Sequence, residues 1–415
     1  MKYDLAIIGA GPAGLMAACR ATELGASVII LEKNKRPGIK LLTTGGGRCN
    51  FTNNIPDPKI LASYYLPNNK FLISAFSRFG SRETINFFNT HGVTTKIEAN
   101  GRVFPLSNLA TDILNVPLNI IKNNSCELKY GAEVKKITSR QNKIEKIILN
   151  NGESITADNY LIATGGRSYP LTGSSGEAYG WLTQLGHKII KPRPALVAIH
   201  LKEKFIPDLE GLSLENIKLN LYGNNKKISA ARGDIIFTRN GLSGPAALNL
   251  SREIDLFSNQ KYRLELDFKP ESTETELANY LQKIFHSGQK IFRNILEGLI
   301  APKFIPVLIK LTGINPEKQA NSITKDEKTI IINCLKKLEL TVLGLGDFDQ
   351  AMVTAGGIDL KEVDPKTMRS KIISNLFFAG EILDLTGPTG GYNLQLSWST
   401  GYIAGESSID KNIHS

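Results

Sequence analysis

Apolar residues open the chain in a short unbroken run, Leu5-Ala6-Ile7-Ile8, which stops at Gly9. A run this short, bounded by glycine, predicts a buried strand over 3–8. Residues 13–24 then follow a helical pattern up to Gly25, and residues 27–31 (SVIIL) form a second buried run that ends at Glu32. Strand, glycine turn, helix and strand in that order predict a parallel βαβ unit. The apolar run of 5–21 has some look of a signal peptide, but GAGPAG at 9–14 interrupts it and Asp4 lies ahead of it, so the strand–turn–helix reading is preferred.

Further along, 38–54 is a loop dense in Gly, Thr and Asn, and helical patterns cover roughly 68–91 and 107–123. Strands are predicted at 127–137, 144–149 and 154–162. Asn151-Gly152 marks a hairpin between the last two. The third of these runs into Ala163-Thr164-Gly165-Gly166. From 189 the pattern alternates as in antiparallel strands, and from 274 to 339 it is helical and rich in lysine. After 340 strand-like sequence returns, and 376–405 closes with strand, glycine loop and helix. No internal repeat or low-complexity tract appears.

Composition changes this picture in two respects. Fifty Lys+Arg against thirty-nine Asp+Glu give a net charge of +11. Such an excess favours a polyanionic partner, although a lysine-rich protein can also be basic without one. The four cysteines, Cys19, Cys49, Cys126 and Cys334, form no CxxC pair or metal-ligand spacing. Few scattered thiols fit a reducing cytoplasm, the expected location. No metal site is expected, and no membrane span either, since no stretch approaches about 18 unbroken apolar residues.

Four motifs carry candidate chemistry. The first is Gly9-Ala10-Gly11-Pro12-Ala13-Gly14, with Glu32 placed 18 residues after Gly14. Glycines here allow a tight turn, backbone approach to a pyrophosphate, and close packing of helix on strand, while the carboxylate binds an adenosine ribose. Lys33 beside it does not by itself indicate a 2′-phosphate partner. The second motif is Ala163-Thr164-Gly165-Gly166, small residues at a strand end that let the chain pass close to a cofactor. The third joins Gly380, Glu381 and Asp384 to Gly390, Gly391, Tyr392, Asn393 and Leu394. It supplies acidic groups and a helix N-terminus whose positive end can face the N1–C2=O edge of a flavin. Helix capping is the alternative role for Glu381 and Asp384. The fourth is Gly45-Gly46-Gly47-Arg48-Cys49-Asn50-Phe51-Thr52-Asn53. Arg48 suits a pyrophosphate or a substrate phosphate and Cys49 a proton donor or redox partner beside a flavin, while burial as a small packing residue is the commoner fate of a free cysteine. Lys40 and Val134 complete the candidate cofactor contacts, and Arg48, Cys49 and Asn393 are the candidate catalytic residues.

These stretches, together with GRVFP (101–105), FTRNGLSGPAAL (237–248), VTAGGI (353–358) and the GPTGGYN loop (387–393), resemble the BaiN/RdsA-like FAD-dependent oxidoreductases, also called aminoacetone oxidase family flavoproteins. The resemblance spans almost the whole chain and departs at none of these motifs. It implies an α/β fold: a Rossmann-like FAD-binding domain split between both termini, an inserted antiparallel β-barrel-like domain, and a small helical domain nested in that. The expected boundaries are 1–188 and 353–415 for the FAD domain, 189–273 and 340–352 for the barrel, and 274–339 for the helices.

The family's functions differ more than its fold. The favoured expectation is reduction of a uridine in large-subunit ribosomal RNA to dihydrouridine. NAD(P)H would visit transiently as electron donor, hydride would pass from the flavin to C6, and an acid, with Cys49 as candidate, would protonate C5. Lys283, Lys290, Arg293, Lys303, Lys310, Lys336 and Lys337 are the candidate RNA contacts. A flavin amine oxidase releasing peroxide, and a non-catalytic FAD-containing ribosome-assembly factor, are the alternatives. The net charge favours RNA over a small amine, and the glycine loops favour working redox chemistry over a structural flavin.

Overall fold

The computed structural model describes residues 2–65, 67–124, 126–287 and 290–409. They form two compact units, residues 1–195 with 348–415 and residues 196–347.

The first unit is built on a five-stranded parallel sheet in the order Leu376–Phe378, Ala157–Ile162, Tyr3–Ile8, Val28–Glu32, Glu127–Tyr130. Leu5, Ala6 and Ile7 have no accessible surface, nor do Ile29, Ile30, Leu161 and Ile162. Burial on both faces explains why these strands read as continuous apolar runs. The register fixes the site: Ile8 lies opposite Leu31 and Ile162, and Ile162 lies opposite Phe378. Gly9, Glu32, Ala163 and Ala379 therefore leave the sheet side by side, at the carboxyl edge where open α/β sheets bind ligands.

Two helices from opposite ends of the chain pack behind that edge, Pro12–Glu23 and Tyr392–Ser407. Small residues meet where their backbones come closest. A Cβ added at Gly401 would lie 2.3 Å from Ala13 O, and one at Gly405 2.3 Å from Ala17 O. Trp398, fully buried, donates from its indole to Phe51 O at 3.1 Å. Thr400 Oγ1 accepts from Gly380 N–H at 2.9 Å and ties the helix to the end of its own strand.

Two expected strands prove to be two strands each. The run 127–137 divides into Glu127–Tyr130 in the parallel sheet and Val134–Arg140 in an antiparallel one. Gly131, at φ +65°, turns the chain between them. The run 154–162 divides likewise at Thr156. Strand Ile189–Ala195 pairs antiparallel with Val353–Ile358. That pairing holds 189–195 in the first unit, which resumes at Phe348 rather than at 353.

The second unit is a closed six-stranded antiparallel barrel in the order Ile199–Leu201, Gly241–Ser243, Lys226–Thr238, Ser213–Gly223, Tyr262–Asp267, Leu338–Leu345. Between its last two strands in sequence run the helices Glu274–His286, Phe292–Leu296, Ile305–Thr312 and Lys325–Lys336. Capping boxes start two of them, Thr273 with Glu276 and Thr324 with Glu327. Their lysines differ in fate. Lys336 is buried and donates to Asp267 Oδ2 at 2.8 Å and to the carbonyls of Lys269 and Ser272. It is a structural cation, and the expectation that it touches RNA is corrected on that ground. Lys337 pairs with Glu274, and Lys303 Nζ donates to Glu210 O. Lys283, Lys290, Arg293 and Lys310 are exposed and make no ion pair among the described residues. No helix among the described residues is long and apolar enough to cross a membrane.

The helix crossing yields a direct test. Gly405→Val would drive a side chain into Ala17 O, and overpacking of this kind destabilises by about 1–3 kcal/mol. Urea unfolding of the apoprotein should show a lower midpoint, whereas an unchanged midpoint would mean the helices are not in contact there.

Candidate dinucleotide cofactor site

The three glycines of the first turn answer to different constraints. Gly9 sits at φ +104°, and a Cβ on it would lie 2.6 Å from Ala163 O. At Gly14 a Cβ would lie 2.0 Å from Gly9 O, so the helix is pressed on the turn. Gly11 has an ordinary φ of −84°, and a Cβ there would meet no protein atom within 4 Å. Nothing in the chain itself demands glycine at 11. The open space before it, at a helix start with unsatisfied N–H groups and Pro12 in the first turn, fits a diphosphate.

Glu32 stands at the neighbouring strand end, 7% exposed. Its Oε2 accepts from Ala10 N–H at 2.9 Å, and its Oε1 accepts from Asn34 N–H at 2.9 Å and Asn34 Nδ2 at 2.8 Å. A carboxylate offers about four acceptor positions, so one remains for a ribose hydroxyl. Val134 lies just beyond a segment bonded to this edge, where Ala132 N–H donates to Glu32 O at 2.9 Å. Lys33 turns instead to Glu177 and Ser175 Oγ.

A second cluster joins four distant segments. Lys40 Nζ donates to Ser168 Oγ at 2.8 Å and to Glu381 Oε2 at 2.9 Å. Glu381 Oε1 accepts from Ser168 Oγ at 2.8 Å and from Thr354 N–H at 2.9 Å. Gly166 must lack a side chain, because a Cβ would lie 2.4 Å from Thr354 Oγ1 and 2.7 Å from Glu381 Oε1. Ser168 and Thr354 were not singled out from the sequence. The only signal for Thr354 was its place in VTAGGI, and Ser168 carried none.

The glycine loop 45–47 has φ of +61°, +67° and +85°, and Cys49 follows at +60°. This strained path turns Arg48 toward Glu98, with which it pairs, and toward Asn108 Oδ1 at 2.8 Å, with its guanidinium over Phe104 at 4.2 Å. Arg48 is thus engaged within the protein, and it holds the Glu98 carboxyl below its usual range. Cys49 has no accessible surface, and burial pushes its thiol well up. Asn50, with its amide oriented to satisfy its neighbours, accepts from Gly391 N–H at 3.1 Å.

The loop before the helix Tyr392–Ser407 is clamped from several sides. Asn393 Oδ1 accepts from Gly387 N–H at 2.8 Å, while its Nδ2 donates to Gly387 O at 2.9 Å and to Pro388 O at 3.2 Å. Asn53 Nδ2 donates to Gly390 O at 3.2 Å, and Tyr65 Oη donates to Tyr392 O at 2.7 Å. Tyr64 stacks on the Tyr392 ring at 4.6 Å. Tyr64 and Tyr65 are further residues that sequence reasoning missed, and Asn53 closed the fourth motif without a role assigned to it. Asp384 is half-enclosed beneath the loop, its Oδ1 accepting from Gly356 N–H at 3.0 Å, and desolvation pushes its carboxyl up. Leu394 sits part-buried in the first turn of the helix. No group of three or more His, Cys, Asp or Glu side chains suited to a metal occurs among the described residues.

A parallel sheet whose strand ends gather a glycine turn, a buried carboxylate and a second glycine loop defines a Rossmann-type oxidoreductase. The chain belongs to the family described as HI0933-like protein Rossmann domain, which matches residues 3–407. It is 32% identical over 400 residues to the ribosomal RNA dihydrouridine synthase of Haemophilus influenzae, covering 95% of this chain and 96% of that protein. It is 30% identical over 415 residues to the 3-dehydro-bile acid delta(4,6)-reductase of Clostridium scindens, covering 98% and 99%. In fold it is similar to the 3-ketosteroid-delta4-(5alpha)-dehydrogenase of Rhodococcus jostii, with a TM-score of 0.53, 13% identity and coverage of 99% and 97%.

Two measurements test the site. Gly11→Ala should cost the apoprotein about 1 kcal/mol or less yet weaken FAD binding at least about tenfold, or ~1.4 kcal/mol, in a flavin fluorescence titration. Unchanged FAD affinity would move the diphosphate elsewhere. The raised Asp384 carboxyl binds its proton better folded than unfolded. Its favourable contribution is therefore present below the usual carboxylate range and lost as pH rises through the raised value. Asp384→Asn should stabilise the apoprotein at pH 7, with the gain shrinking as pH falls toward 4. A gain independent of pH in thermal melts would contradict this origin.

Proposed function

We propose that this chain is an FAD-dependent oxidoreductase that reduces a uridine of large-subunit ribosomal RNA to dihydrouridine, with NAD(P)H as the transient electron donor. The observation that carries the reading is the net charge of +11 on a chain built around a dinucleotide site. Relatives of similar identity are named for an RNA substrate and for a steroid substrate. A small steroid requires no cationic surface, whereas an RNA backbone is held by one. Lys283, Lys290, Arg293 and Lys310 are exposed and free of ion pairs among the described residues, which supports RNA.

The cofactor-binding roles follow from the placements above. Gly9–Gly14 would take the diphosphate and Glu32 the adenosine ribose. Lys40, Glu381, Gly165 and Gly166 would line the middle of the cofactor, and Gly390–Leu394 would bring the positive end of a helix toward the ring. FAD held there would supply hydride to the uracil ring, which would have to leave its stack to be reached. Asn393 acts by holding the loop 387–388, and Arg48 by shaping the loop 45–50. Cys49, without accessible surface, packs that loop.

The test is a dihydrouridine map of ribosomal RNA from a strain lacking the gene. One large-subunit position should lose the modification and regain it on complementation. The Cys49→Ala allele should restore turnover within about tenfold of wild type. A loss of about 100-fold or more, the size of a general-acid contribution, would give the proton to Cys49. An unaltered map in the deletion strain would overturn the RNA reading and leave a small unsaturated substrate as the alternative.

A further inference from the structure

One motif singled out in the sequence, FTRNGLSGPAAL at 237–248, has no part in the cofactor site. Its Arg239-Asn240 pair makes the turn between barrel strands Lys226–Thr238 and Gly241–Ser243. The turn is pressed onto its neighbour: a Cβ at Gly241 would lie 1.9 Å from Ile199 O, and Leu201 N–H donates to Asn240 O at 2.9 Å. On the other side His200 lies opposite Gly344, and Lys202 N–H donates to Thr341 O at 3.0 Å. These three segments, all of the second unit, border an open depression of about 400 Å³ lined by His200, Lys202, Glu203, Lys204, Arg239 and Gly344 among others.

The charges around it are unbalanced. Lys202, Lys204 and Arg239 are exposed, and none makes an ion pair among the described residues. The one acid in the lining does not neutralise them. Glu203 Oε1 accepts from Thr341 N–H at 2.7 Å, and its Oε2 is covered by protein yet has no hydrogen-bond partner. Covered by protein, that oxygen is an unsatisfied acceptor inside the wall and is not open to the cavity. Two further features suit a ligand. A Cβ at Gly344 would meet no protein atom within 4 Å, and Leu343, 65% exposed, offers an apolar wall.

We propose that this pocket holds one nucleotide of a single-stranded RNA segment, its flanking phosphates gripped by Lys202, Lys204 and Arg239. The volume lies near the lower end of the roughly 300–1,000 Å³ typical of small-ligand sites. That suits one base with its sugar and phosphate and is too little for a whole dinucleotide. A cationic groove that tracks the backbone is one part of how single strands are bound without a paired partner. The inference rests on the reading of the chain as an RNA-modifying enzyme and adds the surface that receives the strand.

The experiment uses the full-length FAD-loaded protein and a fluorescein-labelled 12-nucleotide uridine-containing RNA, with anisotropy read between 50 and 200 mM salt. The triple variant Lys202→Ala, Lys204→Ala, Arg239→Ala should bind at least tenfold more weakly. Its plot of log affinity against log salt should flatten by about 2, since each phosphate contact on a single strand contributes about 0.7. Gly344→Val, which adds a branched side chain at the lining and keeps every charge, should also weaken binding several-fold. Affinity within twofold of wild type for either variant would overturn the proposal. FAD content and NAD(P)H-dependent flavin reduction should be unchanged in both. Loss of that reduction with RNA affinity intact would assign the pocket to the nicotinamide donor instead. Because binding is read without turnover, the arms separate cleanly. Normal RNA binding by the variants beside a lost dihydrouridine in the deletion strain defeats the pocket alone. Weakened binding beside an unaltered dihydrouridine map defeats only the proposed reaction.

Discussion

The close crossing of two helices from opposite ends of the chain is the constraint on which the cofactor site depends. Ala13 and Ala17 on one helix face Gly401 and Gly405 on the other, at a distance where a single added methyl group would overlap a backbone carbonyl. Small residues let the backbones approach, so dispersion contacts act between main chains. The consequence is positional. The helix that begins at the first glycine turn and the helix that begins at the Gly390–Gly391 loop present their N-termini to the same sheet edge. Thr400 and Trp398 fix the second helix further, through Gly380 N–H and Phe51 O.

Around that frame the site is held by polar groups that are already satisfied. Glu32 is anchored by Ala10 and Asn34, Glu381 by Lys40, Ser168 and Thr354, and Asn393 by both sides of the loop it follows. Buried polar groups fixed this way keep their geometry before a ligand arrives, which limits the ordering cost of binding. The positive-φ path through Gly45–Cys49 belongs to the same design, since such backbone persists only where its surroundings hold it.

The sequence made some of this legible and left the rest hidden, for physical reasons. Short apolar runs ending at glycine or Glu32 identified the parallel strands, because burial on both faces leaves a local signature. The glycine turn was readable from its spacing, although only Gly14 answers to a neighbour a few residues away, while Gly9 answers to the distant Ala163 and Gly11 to open space. Partners far apart in sequence left no such trace. Arg48 looked like a phosphate ligand because nothing in its own segment announces Glu98 or Asn108. Lys336 looked like a surface cation because Asp267 lies on a different strand. The pairing of 189–195 with 353–358, which moves the border of the first unit, likewise depends on residues far apart in sequence. The split at Gly131 was visible only as a glycine inside a strand-like run.

The central claim is that an FAD molecule lies along this sheet edge with its diphosphate at Gly11. The most direct measurement is the flavin released by heat denaturation of the purified protein, identified by mass and quantified against the chain. The account predicts one FAD per chain, or a colourless protein that takes up one equivalent on incubation. A chain that neither carries nor acquires FAD, or that takes up only the mononucleotide, would contradict it.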